Sequence, residues 1–362
     1  MNRRSLILSV TGDPGYGAER LLASFIAALP RELAQQCILA RPPGSSLSRW
    51  APPGAVEVVD FSARDDTFTR NLVAAMALAR ALRRHNVGLV HAWGARAFEA
   101  ALLLGRRLHV PVSGTLHDHP EASIHGRARR ALIRYAASRL QPIVGVSDAV
   151  AAACSEAGLG GDIIVIKNGA SFAPLRPHAP DREPVRVAFL GLYAAWKGFD
   201  IVHDWIRQCG AEIEWHLYGN PALESEAACA ALRAEGRKNV IFHGWVDGDD
   251  ILTEMDILVH ASTSFEPFGM VLVEAARAAI PVVASDLGGP REIVVDGETG
   301  FLFSPAAPAG GLEHLRKLVS SPELRRQMGN AARRRFETDF AIGRMVDAYV
   351  RLWRARASAD LG

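Results

Sequence analysis

Lysine is almost absent from this chain. Of the 41 basic residues in its 362 positions, only Lys167, Lys197, Lys238 and Lys317 are lysine, which leaves 37 arginines. Compositional bias explains the arginines, and it makes any lysine kept for chemistry easy to see. A charge excess is absent too. The 39 acidic residues bring the formal net charge to +2, so no global field attracts nucleic acid and no nucleic-acid partner is expected. Cysteine is scarce. Cys37, Cys154, Cys209 and Cys229 are scattered without C-x-x-C spacing, which suggests neither a disulfide framework nor a zinc site and fits a reducing compartment. Long apolar runs are missing: no stretch reaches 18 uninterrupted apolar residues, so none is expected to span a membrane. The run Ser5–Val10, closed by Thr-Gly-Asp-Pro-Gly, is too short for a signal-peptide core and is expected to be a buried strand of a cytoplasmic protein.

What is present alternates. Short apolar runs lie at Leu6–Val10, Leu89–Ala92, Val112–Leu116, Ile143–Val146 and Ile163–Ile166. They return at Val185–Leu190, Trp215–Tyr218, Val240–His243, Ile257–His260, Val282–Ala284 and Phe301–Phe303, with helical patterns such as Glu19–Leu29 and Phe68–Arg84 between runs. Near-continuously apolar strands separated by helices imply parallel sheets covered on both faces, an α/β fold. Ser171–Pro184 breaks the rhythm with prolines at 174, 177, 180 and 184, the pattern of an extended linker. The expected organisation is a Rossmann-like unit over 1–172, a linker over 173–184, a second Rossmann-like unit over 185–340 and a helical tail over 341–362. Two doubly wound units would face a cleft at their strand C-termini, where open α/β sheets bind ligands.

Several constellations fall at such positions. After the run Ile257–His260 come Ser262-Thr-Ser264 and then Glu266-Pro-Phe-Gly-Met-Val-Leu-Val-Glu274. A helix starting there would turn the N–H groups of Gly269, Met270 and Val271 toward an anion. Glu274 would reach paired hydroxyls such as those of a ribose, or both acids would simply complement the helix dipole. Gly15-Tyr-Gly17 lies between a strand and a helix and would let backbone N–H groups approach phosphate. It is not the G-x-G-x-x-G fingerprint, because position 20 is Arg20, and a plain tight turn is the alternative. Lys197, in Gly191-Leu-Tyr-Ala-Ala-Trp-Lys197-Gly198, would neutralise a departing diphosphate, or be a solvated surface lysine. His117, Asp118 and His119 close the run Val112–Leu116. A zinc site there would need a further ligand, and a hydrogen-bonded structural histidine is the competing reading. Asp247-Gly-Asp249-Asp250 has the look of a D-x-D metal motif but is read as an N-cap with an acidic first turn. No metal and no cofactor are expected.

Taken together and in order, these segments resemble glycosyltransferase family 4, the retaining GT-B enzymes. Glu266 and Glu274 are similar to that family's E-x7-E pair, and Gly15-Tyr-Gly-Ala-Glu-Arg20 to its N-terminal glycine loop. Thr115-Leu-His117-Asp118, Val146-Ser147 and Ile166-Lys-Asn168-Gly169 match its T-x-H-D, V-S and I-P-N-G segments. Gly191…Lys197-Gly198, Gly244-Trp-Val246, Asp286-Leu-Gly-Gly-Pro-Arg-Glu292 and Asp296-Gly-Glu-Thr-Gly300 complete the series. The resemblance implies transfer of a sugar from a UDP- or GDP-sugar to an acceptor hydroxyl, in synthesis of a cell-surface polysaccharide or glycolipid. It places the donor on Gly15, Gly17, Lys197, Gly244, Val246, Phe268, Gly269, Met270, Val271 and Glu274. It gives His117, Lys197 and Glu266 catalytic positions and puts Trp93 and Asp118, with His91 nearby, on the acceptor side. One position departs: the family has arginine after the first glycine of the lysine segment, and this chain has Leu192, with Arg291 as a possible substitute. A nucleotide-sugar epimerase on the same fold, or a non-catalytic nucleotide-sugar-binding homologue, therefore stays open. Arg127, Arg129, Arg130 and Arg134, on one amphipathic pattern, are read either as a peripheral contact with the inner membrane face or as a solvated basic face.

Overall fold

The computed structural model describes residues 3–10, 17–45, 47, 54–62, 68–120, 127–159, 161–172, 182–246 and 251–359. Gly15, the Asp247–Asp250 run and most of the proline-rich segment lie outside them. The chain divides into two compact units, Met1–Ser171 with Ile342–Gly362, and Phe172–Ala341.

The first unit is built on seven strands: β1 (Arg4–Leu8), β2 (Cys37–Arg41), β3 (Glu57–Asp60), β4 (Val87–Trp93), β5 (Val112–Leu116), β6 (Ile143–Gly145) and β7 (Ile163–Val165). They pair in parallel in the order β3-β2-β1-β4-β5-β6-β7. Helices cover both faces of a parallel sheet, so its central strands need apolar residues at every position rather than alternate ones. Leu6, Ile7 and Leu8 of β1 and Leu89, Val90 and Ala92 of β4 accordingly lose all solvent contact. Two strands not expected from the sequence, β2 and β3, sit on one side of this sheet, and β3 is its edge, largely exposed. The tail helix Ile342–Ala359 belongs to this unit. Its Tyr349 and Trp353 meet Phe25 of the helix Gly17–Ala28 at centroid separations of 5.4 and 5.7 Å.

The second unit holds β8 (Val185–Leu190), β9 (Ile213–Tyr218), β10 (Val240–Gly244), β11 (Ile257–His260), β12 (Val282–Ser285) and β13 (Gly300–Phe303), parallel in the order β10-β9-β8-β11-β12-β13. One face of this sheet, with Val187, Phe189, Trp215, Leu217 and Val259, packs on Trp205, Ile206, Leu312 and Leu315. Burial of this kind makes truncation of a Trp such as Trp215 cost about 3–5 kcal/mol.

Both sheets wind outward in two directions from a central pair of strands. The reversal falls between β1 and β4 in the first and between β8 and β11 in the second. At such a reversal the loops leaving neighbouring strands part, and the gap at the strand C-termini is where ligands enter α/β sheets. Among the described residues no helix is long and apolar enough to cross a membrane. All four cysteines are free and buried, and burial pushes the Cys37 and Cys154 thiols up to about 12, which leaves them unreactive.

Candidate active site

The loops leaving β8 and β11 bring two charged residues together. Lys197 Nζ donates to Glu266 Oε2 at 2.7 Å. The pairing follows from local sequence. Gly198 takes a left-handed φ of 72°, and a Cβ there would overlap the Ala261 carbonyl, so only glycine lets the turn lie against the end of β11. Thr263 stitches the two loops, its N–H donating to Trp196 O at 3.0 Å and its hydroxyl to Ala195 O at 2.9 Å. The ammonium also lies 4.5 Å from the centre of the Trp196 ring.

Glu266 is held from both ends. Its backbone carbonyl accepts from Gly289 N–H at 2.8 Å, and Gly288 and Gly289 pack where any Cβ would strike the backbone of Glu266 and Phe268. That is a steric reason for the Gly-Gly of the Asp286 segment. On the side chain, Ser262 Oγ donates to Oε2 at 3.2 Å, and His260 Nε2 lies 3.3 Å from the same oxygen. Burial alone would raise the carboxyl. The His260 hydrogen bond and the Lys197 charge outweigh it and hold the group down at about 2. Glu266 is therefore a fixed carboxylate at neutral pH, suited to accept hydrogen bonds and unsuited to give a proton.

The helix Met270–Arg277 begins directly after this carboxylate, with Gly269 at φ 99° as its first cap. Met270, Val271 and Glu274 are half-buried along its start, and Phe268 is buried, edge-on to Phe340 at 6.1 Å. Glu274 lies one turn further along the helix than Met270, with its own contacts. Gly244 ends β10 at φ 69°, and the neighbouring Trp245 and Val246 are exposed. Leu192, where a second cation was expected, is 43% exposed, and Arg291 is engaged with Asp286 at 3.3 Å. Sequence reasoning singled out Lys197, Glu266 and the helix start, and the structure joins them. It did not assign His260 or Ser262, whose signal was a histidine at the C-terminal end of a strand bordering the switch point.

The first unit is equipped differently. His91 is fully buried on β4 between two hydroxyls, Ser113 Oγ at 2.7 Å and Thr115 Oγ1 at 2.9 Å, and Thr115 Oγ1 is 2.8 Å from Tyr349 OH. Trp93 is 2% exposed, its Nε1 donating to Ala18 O at 3.0 Å, and the His117 ring lies against it at 4.8 Å. His91 and Trp93 are therefore interior residues. Enclosure by Phe25 and Tyr349 leaves Trp93 able to position His117 rather than to present a face of its own. Burial lowers His91 to about 3, with the charge of His117 adding to it, and burial lowers His117 likewise. Both imidazoles are neutral at pH 7. His117 Nε2 is buried with no hydrogen-bond partner, an open valence worth about 1–3 kcal/mol to a ligand that satisfies it. Asp118 is exposed. Gly17, the first residue of its helix, is exposed with open space around it. Arg130 and Arg134 are exposed on the helix Arg127–Ala137, while the side chains of Arg127 and Arg129 lie outside the described part. Among the described residues no group of three His, Cys, Asp or Glu side chains is arranged to hold a metal ion.

Comparison with known proteins covers most of the chain. Residues 16–174 match the family model described as Glycosyltransferase Family 4, and residues 175–335 match Glycosyl transferases group 1. The glycogen synthase of Mycobacterium tuberculosis is 27% identical over 315 residues, 78% of this chain and 74% of that protein. The lipopolysaccharide core biosynthesis glycosyltransferase LpsE of Rhizobium meliloti is 26% identical over 344 residues, 93% of this chain and 95% of that one. Among solved structures, HepE of Anabaena in complex with UDP and glucose is similar at a TM-score of 0.83 and 20% identity, over 98% of this chain and 100% of its own. Sucrose-phosphate synthase of Thermosynechococcus elongatus follows at 0.79 and 18%, over 99% and 100%.

Proposed function

The chain belongs to glycosyltransferase family 4 and has the GT-B fold, and from that premise we propose that it moves a sugar from a nucleoside-diphosphate donor to an acceptor hydroxyl with retention. The observation that carries this reading is the Lys197–Glu266 pair, set at the β8/β11 switch point beside the start of a helix. In the proposed scheme Glu274 holds the ribose hydroxyls. The Gly269, Met270 and Val271 amides meet the diphosphate and sugar, as helix N-termini meet anions. The segment Gly244–Val246 borders the nucleotide, and Phe268 packs beneath the helix start. Glu266, permanently ionised, accepts from the sugar hydroxyls. Lys197 supplies the positive charge that a departing diphosphate needs, so the scheme uses no metal. In the first unit we assign Gly17 to the phosphates, neutral His117 to the donor sugar and Asp118 to the acceptor.

The bond between the anomeric carbon and the diphosphate oxygen breaks, and the acceptor oxygen bonds to that carbon on the same face. The acceptor proton passes to the leaving phosphate oxygen. Glu266 is cast in this scheme as a hydrogen-bond acceptor, its Oε2 accepting from Lys197 and Ser262. The UDP held by HepE supports a UDP-sugar donor, and the name of LpsE supports a cell-surface glycan as product. Incubating the protein with UDP- and GDP-sugars, with and without acceptor lipids, tests the reading. We expect product only when acceptor is present, with the donor's anomeric configuration kept. Isomerised donor in the absence of acceptor, or binding without transfer, would overturn it. Glu274→Ala should weaken binding of the free nucleoside; unchanged nucleoside affinity would sink the ribose assignment.

A further inference from the structure

A second concave surface lies at the N-terminal end of β5, the end of the first sheet opposite its strand C-termini. A cavity of about 480 Å³ opens there, lined by Arg106, Arg139 and Arg356 together with His109, Gln141 and Leu102. Three separate elements deliver its cations. Arg106 is in the last turn of the helix Phe98–Leu108, Arg139 follows the helix Arg127–Ala137, and Arg356 is near the end of the tail helix. No carboxylate lines the cavity among the described residues. Arg106 instead donates to the Tyr135 hydroxyl at 3.2 Å, and Arg139 lies 5.0 Å from the centre of the same ring. Arg356 Nε is buried with no hydrogen-bond partner.

Arginine at a helix C-terminus is ordinarily explained by the helix dipole, whose end carries about half a negative charge. Each of the three arginines sits at the end of its own helix, so the three dipoles offset about half of the charge and leave an excess of roughly 1.5 positive charges around one cavity. Two of the three also act on Tyr135: the hydrogen bond from Arg106, then the charge of Arg139, pull its hydroxyl below the ordinary tyrosine value. The cavity is also apart from the sugar-transfer chemistry. Val112, at its wall, begins β5, and His117 follows the end of that strand. Five residues at roughly 3.3 Å each separate them by about 16 Å.

We propose that this cavity is a phosphate-binding pocket, in which Arg106, Arg139 and Arg356 hold a phosphate-bearing anion by forked, charge-assisted hydrogen bonds. The anion is either the headgroup of an anionic lipid or a free phosphorylated compound, and Leu102 with the guanidinium stems gives it an apolar floor. The test uses the full chain, with inorganic pyrophosphate and with phosphatidylcholine vesicles containing phosphatidylglycerol as probes. Hydrogen exchange locates the contact. Pyrophosphate should protect residues 102–112 and 139–142 in wild type and equally in Lys197→Ala. The double variant Arg139→Gln/Arg356→Gln, which removes two charge-assisted contacts each worth about tenfold, should need on the order of a hundredfold more. Flotation with the vesicles should follow the same variants if the source is a membrane. Protection by pyrophosphate without flotation assigns a free phosphate compound, and flotation without protection assigns a lipid surface. The proposal fails if neither probe engages these residues, or if the double variant, folded by its melting curve, behaves as wild type toward both.

Discussion

The two switch points, β1/β4 and β8/β11, occupy equivalent places in two sheets of the same winding, yet the chain equips them differently. Among the described side chains near the first, a neutral cluster on β4, β5 and the tail helix holds His91 clasped between Ser113 and Thr115, Tyr349 closing the chain of hydroxyls, and His117 kept uncharged by burial, while the buried Glu19 and Glu99 open the helices that follow β1 and β4. The second holds a full ion pair, Lys197 with Glu266, supported by His260 and Ser262. Burying charge is expensive unless each ion is paired and hydrogen-bonded, so a strand end keeps a pair only with such support. The lesson is a division of labour. A lysine charge fixed at the end of β8 can stabilise a developing anion, while the neutral histidine cluster of the first unit can position hydroxyls without competing for it.

Removing the charge breaks the comparison most severely. Lys197→Ala is expected to lower kcat by about 10²–10³, the range for loss of a preorganised charge at a leaving group, in a transfer assay with UDP- and GDP-sugars. Its melting temperature should fall as well, because Glu266 is left a buried carboxylate held only by Ser262 and His260, so the folded fraction is measured beside kcat. A kcat within threefold of wild type would remove Lys197 from the chemistry.

Acid separates the two units next. His91 and His117 are held near 3 in the folded chain against 6.5 unfolded, so the unfolded state takes up protons first as pH falls. Their contribution is complete above about pH 6.5 and is lost down to about 3, by up to roughly 1.4 kcal/mol per pH unit for each. Glu266 is depressed from 4.5 to about 2, so its contribution is lost only between those values. Urea unfolding from pH 7 to 4, followed by hydrogen exchange in each unit, should show the first unit yielding before the second. A first unit whose stability is flat over that range would contradict the buried, neutral histidines.

Gly198→Ala sharpens the positional half of the argument. The strained φ and the overlap with Ala261 should cost roughly 1–3 kcal/mol in denaturant unfolding and displace Lys197 enough to reduce transfer. The smallest effect is expected for Tyr349→Phe, which removes one end of the hydroxyl chain and leaves Thr115 bonded to His91. About 1 kcal/mol of stability should be lost, with kcat unchanged.

Much of the fold is legible because parallel strands bury both faces and announce themselves as apolar runs. Eleven such runs correspond to strands, Val185–Leu190 for example residue for residue. The two strands not expected differ. Glu57–Asp60 is an exposed edge with two apolar residues, whereas Cys37–Arg41 carries a four-residue apolar run, Cys-Ile-Leu-Ala, which the expected strands do not include. At the site, Lys197 stands out because lysine is rare and Glu266 because of its spacing from Glu274. The rest depended on contacts no local pattern records. Thr115 and Tyr349 are 234 positions apart, and nothing in Trp-Gly-Ala warns that Trp93 is enclosed. Leu192 is the reverse case: the sequence marks it, and the structure supplies an exposed leucine there.

The central claim is that Lys197 meets the diphosphate of the donor, and the most direct measurement compares ligands that differ only there. UDP and uridine, or GDP and guanosine if the base is guanine, are titrated calorimetrically into wild type and Lys197→Ala. The account predicts that the substitution weakens the diphosphate by at least about tenfold, the 1.4 kcal/mol expected of one charge-assisted contact, and leaves the nucleoside unchanged. Equal losses for both ligands, or none for the diphosphate, would contradict it.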